Sequence, residues 1–166
     1  MIYKLIAAAA VGLAATVALS AAAAPAQGPV RTPATQTATQ DRPHSGPLPP
    51  LPRVSYEPPR PMAVVQQVYE FAARHPEVLH YVPCYCGCER VGHTANHSCF
   101  VKSRAADGRV TEWDNHGMGC AVCIDVARDA MTLFNSGAKA VAIREAIDKK
   151  YGSHFPSSTP TPRPAR

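Results

Sequence analysis

Six cysteines lie between positions 84 and 123 of this 166-residue chain, and none lies elsewhere. Three of them alternate in Pro83-Cys84-Tyr85-Cys86-Gly87-Cys88. In an extended segment alternate side chains share a face, roughly 6.5 Å apart. Cys84, Cys86 and Cys88 can therefore present three sulfurs to one side, with Tyr85 pointing away and Gly87 free to curl the backbone. Cys120 and Cys123 are three residues apart on a predicted helix and share its inner face. Soft thiolates select copper(I), zinc or iron–sulfur clusters. Six sulfurs exceed what one tetrahedral zinc needs and suit a multinuclear copper(I) site. The expected ligands are Cys84, Cys86, Cys88, Cys120 and Cys123, with Cys99, His93, His116 and Met118 as additional candidates. Copper(I) is the expected ion and zinc the alternative. Covalent haem is excluded, because Ile124 follows Cys123 where a C-x-x-C-H motif needs histidine.

Two other chemistries stay open. Six cysteines can also form three disulfides, in fifteen possible connectivities. Bridges fanning from five consecutive residues would demand tight geometry at every pair. A mixture, with one disulfide involving Cys99 and the remaining thiolates left for metal, is a further option. The all-disulfide form would make the chain a disulfide-stapled module without metal that docks a partner through its loops. Cys120-Ala121-Val122-Cys123 also has the spacing of a redox dithiol. A thioredoxin-like oxidoreductase needs strands alternating with helices, which the pattern does not offer. No Ser/His/Asp set or phosphate-binding glycine loop stands out, so no catalytic residue is assigned.

The elements that must position these sulfurs are legible as helices. Met62, Val65, Val68, Tyr69 and Ala72 follow helical spacing, and Pro76 should stop that helix near Arg74. A short turn follows over 76–80. Met118 to Phe134 reads as one helix, with Cys120, Cys123, Ile124, Ala127 and Met131 on its inner stripe. Asn135-Ser136-Gly137 ends it. A last helix runs from Ala138 to Tyr151. Residues 88–117 read as a long polar loop, in which Asp107-Gly108 could close a small hairpin. Trp113 is expected to cap the core over that loop. The class expected is all-α: three to four helices in 62–152 around a long cysteine-bearing loop.

Disordered Pro-rich segments are expected on both sides, over 27–61 and 153–166. His44, His75 and His154 are expected to be solvated. Residues 1–26 read as a secretory signal: Lys4, an apolar run from Leu5 to Leu19, then Ala24-Pro25-Ala26. An uncleaved anchor is the alternative, although the run is short for a span of about 20 residues. No cysteine adjoins the cut, so no lipid attachment is expected. The chain is thus expected outside the cytoplasm, periplasmic or extracellular, where iron–sulfur assembly is disfavoured. The formal charge is +5. Residues 62–152, however, hold ten Lys/Arg and ten Asp/Glu, so the surplus lies in the flanks. A neutral domain lacks the footprint of a nucleic-acid binder.

The block Pro83 to Cys88, followed by Gly92-His93, Asn96, Cys99-Phe100, Trp113, His116 and Cys120-x-x-Cys123, resembles the bacterial exported proteins and lipoproteins named for their PCYCGC motif. Ile143-Arg144, Ile147-Asp148 and Tyr151-Gly152 extend the resemblance over roughly 62–152. It implies an exported cysteine-rich module. The metal expectation rests on ligand chemistry: an unidentified donor or acceptor protein would exchange the ion with this domain.

Overall fold

Apolar residues at intervals of three and four fold much of the chain into the helices expected. The computed structural model describes residues 42–165. Helix α1, Met62–Arg74, buries Val65, Val68, Tyr69 and Ala72 on one stripe. Pro76 ends it as expected and opens the single turn α2, Pro76–Leu79. The longest helix among the described residues, Ala121–Asn135, sets Ile124, Val126, Ala127 and Ala130 into the core. The last, Ala140–Tyr151, adds Ile143 and Ile147. The long helix packs against α1 on one side and against the last helix on the other.

The all-α expectation is wrong. Val101–Arg104 (β1) and Val110–Trp113 (β2) pair antiparallel, with Val101 opposite Trp113 and Arg104 opposite Val110. Among the described residues the fold is therefore mixed: five short helices and a two-stranded sheet. The turn is Asp107-Gly108, where Gly108 has φ of 92° and Asp107 accepts from the Arg109 amide at 3.0 Å. Each strand has only four residues and two register shifts interrupt the pairing, so no clean alternation marks it. The hairpin is fastened by a buried cation. Arg104 donates to the Ala72 and Ala73 carbonyls at the end of α1, at 2.9 and 3.0 Å. It also donates to Nε2 of buried His97 at 3.1 Å.

The helix expected over 118–134 is two helices. A short one, His116–Gly119 (α3), stops at Cys120, whose backbone is extended. Ala121–Asn135 (α4) then starts afresh, and Ala140–Tyr151 becomes α5. Gly117 and Gly119 weaken the first turn. Gly117 is dictated by packing as well. A Cβ there would lie 2.6 Å from the Phe100 ring and 2.8 Å from the Cys99 carbonyl.

Neither flank is disordered where the structure describes it. Residues 42–61 lie along the domain, with Leu48, Leu51 and Val54 packed on the core. Trp113 donates its indole N–H to the Pro49 carbonyl at 3.2 Å, and Arg60 pairs with Asp125. His44 is buried rather than solvated: its Nδ1 accepts from the Val110 amide at 2.9 Å. Proline stretches lack amide donors and are already extended, so laying them on a surface leaves few groups unpaired. The C-terminal tail is held too. The Cys84 amide donates to Thr159 Oγ1 at 2.8 Å, and the Thr159 amide donates to the Cys84 carbonyl at 2.9 Å. The signal expected over 1–26 and the first part of the linker lie outside the described residues. Among those described, no helix is long and apolar enough to cross a membrane.

Candidate metal centre

The motif enters the core because Gly87 turns it. Gly87 adopts φ of 79°, and Cys88 opens a 3₁₀ turn, Cys88–Val91. That bend brings the sulfurs of Cys84, Cys86 and Cys88 within 4.8 Å of one another. Tyr85 points the other way, as expected. It stacks on Tyr151 at 5.8 Å and donates to Asp148 at 2.8 Å, which anchors the segment to α5.

From the opposite side α4 delivers Cys123. The sulfurs of Cys84, Cys86 and Cys123 form a triangle with sides of 3.3, 3.5 and 3.5 Å. Cys120 adjoins it as the N-cap of α4, where its sulfur accepts from the Cys123 amide at 3.5 Å. A second 3₁₀ turn, Asn96–Cys99, supplies Cys99, 3.7 Å from Cys88. Each histidine closes one end. His116 Nε2 lies 3.3 Å from Cys86, and His93 Nδ1 lies 3.4 Å from Cys99.

Four overlapping groups result: Cys86, His116, Cys120 and Cys123; Cys84, Cys99 and Cys123; Cys84, Cys86 and Cys88; and Cys88, His93 and Cys99. Within each, the ligand atoms lie within 4.8 Å of one another, so each could hold a metal ion. Two sulfurs on one tetrahedral ion at about 2.3 Å stand about 3.8 Å apart, so the triangle need open by only about 0.4 Å. No disulfide joins any two of the six cysteines in the structure. Met118 takes another place. It is buried in the core on α3, and none of the four groups includes it.

Crowded thiols share protons unequally. Cys123, at the centre, is pushed up by its contact with Cys120 and then by Cys84 and Cys86, so it keeps its proton. Cys99 is raised too, whereas Cys84, Cys86 and Cys88 are lowered. Cys84 is drawn down to about 4 by hydrogen bonding with Cys123 and then Cys86. Cys88 is drawn down to about 3, by Cys123 first and Cys84 next. Cys86 is lowered as well, by Cys120 and then Cys123. His116 is raised to about 10 beside Cys120 and Cys86, so the metal-free site carries an imidazolium. Thiolates already formed are the state in which sulfur binds metal.

Residues 57–164 match the family model described as "Protein of unknown function with PCYCGC motif". The chain belongs to the PCYCGC family. No curated protein and no solved structure matches it. The PCYCGC match runs past both ends of 62–152 and takes in Arg60 and Thr159, which pair with α4 and with the motif itself.

Sequence reasoning missed Asp114. Its Oδ2 stands 3.5 Å from His93 Nε2, and its Oδ1 accepts from the His116 amide at 2.8 Å. One carboxylate thus steadies both histidines of the PCYCGC centre. Its place beside Trp113 and two residues before His116 was the available signal. Asn96 was also missed as a positioning group. Its side-chain amide donates to the Cys123 carbonyl at 3.2 Å, and it is wholly buried.

Proposed function

We propose that this protein binds soft metal, copper(I) above all, through Cys84, Cys86, Cys88, Cys120 and Cys123. Cys99, His93 and His116 complete the shell. The metal is cargo, held or handed on outside the cytoplasm to a donor or acceptor protein. The observation that carries this reading is the sulfur triangle and its continuation. Cys86 touches Cys84, Cys123 and His116 at once. Disulfides would pair sulfurs in twos, whereas shared neighbours fit thiolates that bridge ions. Overlapping groups with common members favour several copper(I) ions over a single zinc. Zinc would be satisfied by Cys86, His116, Cys120 and Cys123 alone.

The test is metal analysis with thiol titration on full-length protein purified without chelator. The expected result is more than one copper per chain and six thiols recovered after copper removal under anaerobic conditions. Six blocked thiols with no metal would replace this reading by the disulfide-stapled module. A single tightly held zinc would replace copper.

A further inference from the structure

The cluster is not evenly buried. Cys84, Cys99 and Cys123 are wholly enclosed. Cys86, His116 and Cys120, at the other end, are each partly exposed. Building on the copper reading, we infer that cargo is exchanged with thiol-bearing carriers through the Cys86–His116–Cys120 end, and is retained at the Cys84–Cys99–Cys123 end.

Local structure supports this division. The retained end is locked from three directions. Thr159 pairs with the Cys84 backbone, Asn96 holds the Cys123 carbonyl, and Gly117 packs directly against Phe100 and the Cys99 carbonyl. Cys120 sits instead on one extended residue between two helices. Its sulfur caps α4 through a long contact with the Cys123 amide, at 3.5 Å, and otherwise faces Cys86, His116 and Cys123. Rotating its side chain outward would give up that cap and leave the backbone bond from Ile124 to Cys120 in place. Cys123 belongs to both the outer group and the inner one, so its sulfur is a bridge along which an ion passes from one to the other.

The exchange step balances without redox change. An incoming thiolate forms a bond to copper(I) as the bond between copper and Cys120 Sγ breaks. The proton given up by the incoming thiol passes to the departing Cys120 sulfur. Loading is the reverse. The competing route is the His93 end, which borders a cavity of about 320 Å³ lined by His80, His93, His97 and Asp114. There, however, both partner sulfurs, Cys88 and Cys99, are buried, and His93 is tied to Asp114.

The experiment follows copper(I) removal from the loaded full-length chain by bathocuproine disulfonate under anaerobic conditions. Wild type should release copper in a fast and a slow phase. Cys120→Ser should abolish the fast phase, whereas His93→Gln should reduce the amount held in the slow one. Loss of the fast phase in His93→Gln but not in Cys120→Ser would overturn the assignment. A fold-independent control uses wild type alone, reduced and metal-free. Iodoacetamide should modify Cys86 and Cys120 at least about tenfold faster than Cys84, Cys99 and Cys123, since attack needs a sulfur the reagent can reach. Uniform labelling would overturn the inference even if copper binds normally. Failure of wild type to bind any copper would overturn the metal reading, and this inference with it.

Discussion

At the scale of single residues, the centre depends on groups that never touch a metal. Asp114 stands behind His93 and accepts the His116 amide. A carboxylate behind a ligating imidazole fixes its orientation and raises its basicity. Asp114→Asn can still accept the amide but loses the charge facing His93. It should weaken metal affinity by about 10- to 100-fold with little change in melting temperature. Chelator competition checks the first and thermal denaturation the second. His97 plays the opposite role. Arg104 can only donate, so Nε2 of His97 must accept and the ring is neutral. Burial, then the Arg104 charge, push its pKa well below the usual 6.5. The unfolded chain takes up that proton near pH 6.5 and the folded chain does not. Its contribution to stability is therefore intact above about pH 6.5 and falls below it, by up to about 1.4 kcal/mol per pH unit. Denaturant titrations of wild type and His97→Gln between pH 7.5 and 5 should diverge in that sense. Parallel curves would refute it.

At the scale of elements, the site is a meeting of one bent segment, two 3₁₀ turns and the start of one helix. The helices were legible because burial imposes a period on Val65, Val68 and Tyr69 in α1 and on Ile124 and Ala127 in α4. The convergence of the sulfurs was legible too, from alternate spacing in the motif and the spacing of Cys120 and Cys123. The hairpin was not, since Val101 and Val110 are the only residues of its strands that are both apolar and fully buried. Nor was the break at Cys120, where the sulfur caps α4 in place of the oxygen that usually identifies such a position. The packed flanks were missed for a different reason. Composition measures how much apolar area a segment has, not whether a surface awaits it. The tail makes this testable. Thr159→Val keeps the shape but leaves the buried Cys84 amide without its acceptor. It should cost about 1–3 kcal/mol. Cys84 should also become more reactive toward alkylating agents. Unchanged stability and labelling would show that the tail merely rests on the domain.

At the scale of the whole molecule, ligands come from positions 84 to 123 and their supports from 44 to 159. The segment around His44, the hairpin and the tail all converge on one small core, so a metal bound as proposed would be coupled to folding. A ligand that binds only the folded chain stabilises it by about 2.7 kcal/mol when present at a hundred times its dissociation constant. Anaerobic copper(I) should therefore raise the melting temperature well above that of the reduced apoprotein. Chelation should reverse the shift, and replacing Cys86 and Cys123 together with serine should remove it. A melting temperature indifferent to copper would separate the sulfur cluster from the stability of the fold.

The reciprocal bonds between Cys84 and Thr159 also set an order of events during synthesis. The two residues are 75 positions apart, so Cys84 leaves the ribosome well before the threonine that pins it. Until that threonine arrives, the Cys84 backbone lacks both of these bonds. A chain ending before Thr159 would hold its first cysteine without that backbone lock.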